Sequence, residues 1–280
     1  MTRTFIAYTL IIIILITLLS AMVYFKNYTP IVPFDIDKAK VFLEKQYIEE
    51  LGLLRASCCC SADVYRVYIA SDNLLAMRAL AILGSKLSQN VSKTLSKYRE
   101  GFDNLHEVLL GYEIVDLFYC RYYENLGYIH LGSYNIFELL YEKPNRTCII
   151  TDWNKYADLL VYKALNEIIR KHNIRYAEKL MDELMKLWDG FGFKDKAFKG
   201  SYESYKIALA VYLWRTIRKY NPTYTKYAEI ILKIDSIAYI LQDKNLGGFY
   251  THYSVIDGKI VPYGDVNVET TSVFIISYLQ

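Results

Sequence analysis

Two kinds of apolar pattern alternate along most of this chain, and both have a helical period. In the first, apolar and charged residues divide between two faces. Over 176–188, Ala177, Leu180, Met181, Leu184, Leu187 and Trp188 take one side, and Glu178, Lys179, Asp182, Glu183 and Lys186 the other. The stretch 224–241 repeats the design through Tyr227, Ile230, Ile231, Ile234, Ile237, Ala238 and Leu241, and 36–51 and 87–98 follow it less cleanly. Helices with one wet side belong on the outside of a helical layer.

The second kind is apolar nearly all round and opens on a polar cluster. Asn73 leads into Leu-Leu-Ala-Met-Arg-Ala-Leu, Asp158 into Leu-Leu-Val-Tyr-Lys-Ala-Leu, Glu203 into Ser-Tyr-Lys-Ile-Ala-Leu, and Glu269 into Thr-Thr-Ser-Val-Phe-Ile-Ile. A helix without a wet face has to be surrounded by other helices, which makes these an inner wall. The connections repeat too: Trp188-Asp-Gly-Phe-Gly-Phe-Lys-Asp precedes one inner segment, and Leu246-Gly-Gly-Phe-Tyr with Tyr263-Gly-Asp-Val-Asn-Val-Glu precedes another. Each unit therefore reads as outer helix, glycine-rich rim loop, inner helix.

The region 102–150 breaks the rhythm. Its glycine-punctuated stretches around His106 and His130 read as short extended pieces, a β-rich insertion. A degenerate further helical unit stays open, because Gly111-Tyr112-Glu113 resembles Gly200-Ser201-Tyr202-Glu203.

Ahead of this body, no charged residue occurs from Phe5 to Phe25, long enough for a helix that crosses a bilayer. The expected organisation is a short tail (1–4), a transmembrane anchor (5–25), a linker (26–34) and an α/α-hairpin domain (35–280) that carries the insertion (102–150). Ser20, Ala21 and Met22 run on without a small-residue cleavage site, which favours an uncleaved signal anchor in a cell membrane. Arg3 on one side and Lys26, Lys38 and Lys40 on the other nearly balance, so orientation rests on weaker signs. Sequons at Asn27, Asn90 and Asn145 tip the body to the extracytoplasmic side.

Composition narrows the partners. With 33 basic and 30 acidic residues scattered through 280 positions and a formal charge of +3, there is no footprint for nucleic acid. The 28 tyrosines suit sugar-binding clefts and, equally, the thick layers of a helical protein. Among the five cysteines, the consecutive Cys58, Cys59 and Cys60 cannot converge on one tetrahedral ion with Cys120 and Cys148, so no metal and no cofactor is expected. A Cys120–Cys148 disulfide and two buried thiols both remain open.

Together the polar-headed apolar segments and the rim loops resemble, at the level of architecture, the six-hairpin glycosidase-like toroids. Through Gln242 to Phe249 and Asp265 to Thr271 they also resemble the terpenoid-cyclase and prenyltransferase toroids. The resemblance covers the chain from Asp35 on, outside the insertion. It implies a mainly α, incomplete α/α toroid, with inner-helix starts around a central cavity where acids and aromatics handle a ligand. The Asp-x-Asp-Asp motif of the cyclases and the Asp, Cys and His zinc set of the prenyltransferases are missing, so those activities lose their basis. The chain stops inside its last apolar helix, whose Val273, Phe274, Ile275 and Ile276 call for a partner chain to cover them.

Glycoside cleavage needs one protonated and one ionised carboxyl group. The expected catalytic set is Asp265, Glu269 and Glu203, with Asp72, Asn73, Asp152, Asp158, Tyr202, Tyr250, His252 and Asn267 around the substrate. Against this stands helix capping, since acids in a first turn satisfy free amides and the dipole without any chemistry. Arg78, Lys163 and Lys206 inside apolar segments call for acidic partners. The expected activity is a carbohydrate-active one, hydrolase- or lyase-like. A non-catalytic glycan- or peptide-binding module and a shortened structural paralogue are the alternatives.

Overall fold

The computed structural model describes residues 32–58, 67–98, 105–114, 116–131 and 134–280, the side chains of 126–139 excepted. The amphipathic stretches form α1 (Ile36–Gln46), α3 (Leu87–Tyr98), α5 (Ile174–Lys186) and α7 (Ala228–Leu241). Two of them start on side-chain caps: Asp35 accepts from the Lys38 amide at 3.0 Å and Asn173 from the Tyr176 amide at 3.2 Å. The apolar segments form α2 (Ala70–Ile82), α4 (Ala157–Lys171), α6 (Ser204–Tyr220) and α8 (Val268–Leu279).

Packing sorts the two kinds as their faces require. α4 lies against α6, α6 against α8, and α8 against α2, while α3, α5, α7 and α1 pack on α2, α4, α6 and α8 respectively. A short 3-10 helix, Leu105–Leu110, touches both α2 and α4 at the ends of this row. The core runs through the row: Leu75, Leu160, Val161, Ile207, Leu213 and Phe274 are all buried. At its α8 end, Phe274 stacks on Phe249 at 3.9 Å and Phe34 meets Phe249 edge-on at 5.0 Å.

The strands correct the expected fold class. Rather than a mainly α toroid, the chain is mixed α/β, and its described residues hold nine strands in three sheets. β1 (Tyr47–Ile48) and β2 (Leu53–Leu54) form a small ribbon where the first amphipathic helix was expected to continue. β3 (Ser57–Cys58), β7 (Tyr202–Glu203), β8 (Phe249–Ile256) and β9 (Lys259–Asn267) make a sheet in the order β3-β9-β8-β7. The stretch read as a rim loop before α8 is thus a hairpin. Asp257 and Gly258, with φ of 50° and 72°, form its turn in the left-handed conformation that matches strand twist.

The third sheet joins β4 (Val67–Ile69), parallel, to a long antiparallel hairpin of β5 (Tyr119–Leu131) and β6 (Tyr134–Ile149). This hairpin lies within 102–150. Cys120 and Cys148 are disulfide-bonded across its open end, with Cα atoms 5.4 Å apart.

Two further expectations change. Among the described residues no helix is long and apolar enough to cross a membrane, which stands against the expected single-pass membrane assignment. The stretch from Phe5 to Phe25 lies outside the described residues. Val273, Phe274, Ile275 and Ile276, expected to need a partner chain, are covered by their own chain and have no exposed surface. From Val32 onward the chain makes one compact unit.

Candidate functional site

The apolar helices begin at one place. Asp72 in the first turn of α2, Asp158 in that of α4, Glu203 just ahead of α6 and Glu269 in the first turn of α8 all line one cavity of about 460 Å³. Capping does not account for these acids. Glu203 is the N-cap residue of α6 yet makes no side-chain cap bond, α2 and α4 also start without one, and α8 is capped by Asn267 rather than by Glu269.

The rest of the wall comes from the β-rich region and the 3-10 helix. Arg121 and Tyr123 are two apart on β5 and so project from one face, Glu142 is the register partner of Tyr123 on β6, and Tyr119 precedes them. His106 enters from the 3-10 helix. Tyr156, Tyr162 and Tyr205 add three more rings, so the cavity combines carboxylates with aromatic faces.

Burial sets the proton affinities. It pushes Asp72 well above the usual carboxylate range, and the charges of Glu269 and Glu142 push it further. Glu269 rises to about 7, through burial first and then Glu142, Glu203 and Asp158. Glu142 is raised by burial against the pull of Arg121, and Asp158 by burial against the pull of Lys206. His106 is driven the other way, to about 4, by burial and then by Arg121. Its Nε2 lies 3.5 Å from Oε1 of Glu269.

Lys206, buried in α6, is a strongly anchored cation of this wall. Its ammonium is 2.6 Å from Oδ2 of the buried Asp195 and in contact with Oε2 of Glu203. Asp195 in turn accepts from the amide of Ala157 at 3.0 Å, which ties the start of α4 to the same charge cluster. The Tyr205 hydroxyl donates to Oδ2 of Asp158 at 3.0 Å. Oδ1 of Asp158 and the hydroxyl of Tyr162 are buried without a hydrogen-bond partner. Two polar atoms held dry in this wall are groups that a ligand would satisfy.

Of the residues expected from the sequence, Asp72, Asp158, Glu203 and Glu269 share this cavity, and the others are elsewhere. Asp265 accepts a bond from Ser57 at 3.3 Å beside β3, outside the cavity. Asn73 is a structural bracket: its Oδ1 accepts from the Leu54 amide at 2.7 Å and its Nδ2 donates to the Leu54 carbonyl at 2.9 Å. Asp152 pairs with Lys196 at 2.8 Å on the surface. Tyr202 donates to Asp189 and stacks on Tyr253, and Tyr250 donates to Asp243. His252 bonds Thr251 and stacks near Tyr263 on the hairpin. Asn267 caps α8 through the Thr270 amide at 2.8 Å.

Sequence reasoning passed over His106, Arg121, Tyr123, Glu142, Tyr162 and Lys206 as site residues. One signal was available: Tyr119, Arg121 and Tyr123 alternate with period two, the mark of one face of a strand. Lys206 meets the acid that its burial calls for in Asp195, which sits in the loop between α5 and β7. Among the described residues, no group of three or more His, Cys, Asp or Glu is placed to hold a metal ion. Comparison with protein-family models, with curated proteins and with solved structures finds no match for the chain.

Proposed function

We propose that this cavity cleaves a glycosidic bond, with Glu269 as the proton donor and Glu203 as the carboxylate that acts on the opposite side. One observation carries the reading: Glu269 is held up to about 7, so it keeps its proton at near-neutral pH, while Glu203 in the same cavity faces the Lys206 ammonium. A carboxyl group that keeps its proton, in one cavity with a second that is paired to an ammonium, offers the acid and the base that cleavage of an acetal requires.

In the proposed step the Glu269 proton passes to the glycosidic oxygen as the bond to C1 breaks. Water then adds to C1 and gives its proton to the Glu203 carboxylate, which restores the proton count. Tyr119, Tyr123 and Tyr156 offer flat faces for sugar rings, with hydroxyl groups at the edges for their polar substituents. Asp158, held by Tyr205, leaves Oδ1 for a sugar hydroxyl.

Reducing-end release from a panel of oligosaccharides tests the proposal. Glu269→Gln and Glu203→Gln are each expected to lower kcat by a factor of about 100 or more with KM changed little. Undiminished turnover in both variants would overturn the assignment. Oligosaccharide binding without any turnover by the wild-type chain would make the cavity a glycan-binding site instead of a catalytic one.

A further inference from the structure

Among the described residues the cavity is short of positive charge. Asp72, Glu142, Asp158, Glu203 and Glu269 line it, and the buried Asp195 joins them through Lys206. Against these stand Lys206, already shared between Asp195 and Glu203, and Arg121, whose charge acts on Glu142 and on His106. His106 is held neutral by its burial, so it adds no cation. Asp72 is the acid left over: it is 4% exposed, its helix start bears no side-chain cap, and its neighbours Glu269 and Glu142 are both acidic. No cation among the described residues lies within ion-pair distance of it. A buried carboxylate in that position either keeps a proton or takes a cation from outside.

Shape and chemistry favour a cation carried by the ligand. Tyr123 on β5 presents its ring close enough to Asp72, Glu142 and Glu269 to feel all three charges, and an ammonium group is attracted to a ring face as well as to a carboxylate. The buried hydroxyl of Tyr162, 2% exposed, lines the same cavity, has no partner and offers a lone pair to an N–H donor. We infer that the substrate is an amino sugar with a free, protonated amine, seated on Asp72 against the Tyr123 ring. This rests on the carbohydrate reading above and narrows it to one substrate class. With the amine on Asp72, that acid can ionise while Glu269 keeps the proton that cleavage needs. Binding therefore displaces the Asp72 proton into solution.

Calorimetry on the full chain near pH 6, with β-1,4-linked tetramers of glucosamine, N-acetylglucosamine and glucose, tests the inference. The glucosamine tetramer is expected to bind about tenfold or more tightly than the glucose tetramer, the preference shrinking as salt is raised. Repeating the titration in buffers of different ionisation heat should show protons released with the amine-bearing tetramer and none with the neutral ones. Asp72→Asn should abolish the preference. Should that variant fail to fold, the exposed Tyr123→Ala serves in its place and should reduce the preference at least about threefold. Equal affinity for amino and neutral tetramers, or no proton release, overturns the inference and leaves the proposed cleavage standing. Failure of every tetramer to bind overturns the inference, and absence of turnover on the wider panel would separately remove the carbohydrate reading.

Discussion

His106 and Glu269 face each other at 3.5 Å, Nε2 to Oε1, as two neutral groups and not as an ion pair. Between about pH 4, where the imidazole loses its proton, and about pH 7, where the carboxyl group does, the acid can donate to the ring nitrogen. The contact between helix α8 and the 3-10 helix thus depends on burial having suppressed both charges.

The two groups pull stability in opposite directions with pH. Glu269 rises from 4.5 to about 7 on folding, so its contribution is full below pH 4.5 and is lost as pH rises through about 7. His106 falls from 6.5 to about 4, so its contribution is full above pH 6.5 and is lost as pH drops through about 4. Glu269→Gln is expected to remove a decline on the order of 3 kcal/mol between pH 4.5 and 7. His106→Gln should instead leave that decline intact and remove the loss on the acid side. Urea denaturation at a series of pH values checks both, and parallel stability curves for the two variants would contradict the arrangement.

Lys206 is buried between Asp195 and Glu203. Lys206→Met should cost about 3–5 kcal/mol, chiefly by leaving the buried Asp195 without its ammonium partner. Adding Asp195→Asn should recover part of that loss. Denaturation midpoints of the single and double variants decide it, and additive losses would mean that the two groups are not coupled.

Tyr162 separates stability from binding. Its ring is packed in the core while its hydroxyl is buried without a partner. Removing that hydroxyl in Tyr162→Phe is expected to stabilise the chain by about 1 kcal/mol and to weaken ligand binding. A thermal midpoint that falls in the variant would show that the hydroxyl is satisfied in the folded chain.

Asn73 brackets Leu54 through its amide and carbonyl and also donates to the carbonyl of Ile69 at 3.0 Å. Asn73→Ala should therefore cost about 2–4 kcal/mol, since it orphans buried backbone groups on β2 and ahead of α2. The losses should appear in denaturation, with little effect on kcat once the chain is folded. An unchanged midpoint would place the bracket outside the core.

Much of the helical layer could be read from the residues. Alternation between two-faced and all-apolar segments locates α5, α7 and the four helices beginning near Asn73, Asp158, Glu203 and Glu269, because burial on all sides leaves no room for a polar face. The sheets were less legible. Asp257-Gly258 between Val255-Ile256 and Lys259-Ile260 is a strong hairpin signal that the repeat pattern masks, and tying β7 and β3 to that hairpin needs contacts across some 50 and some 200 positions of chain. The site divided in the same way. Acids at helix starts are visible locally, whereas His106, Glu142 and the Lys206–Asp195 pairing exist only once distant segments meet. Asp265 and His252 illustrate the converse: closeness in sequence to Glu269 put them in the expected site, and the strand geometry of β8 and β9 carried them out of it.

The disulfide across the mouth of the β5–β6 hairpin joins the two strands that deliver Arg121, Tyr123 and Glu142 to the cavity. Those residues are thereby fastened by a covalent clasp that belongs to neither helix layer. A reducing agent that leaves the helical body folded would reach the site through that clasp, so thiols added to an assay become a control for how far one wall depends on being held.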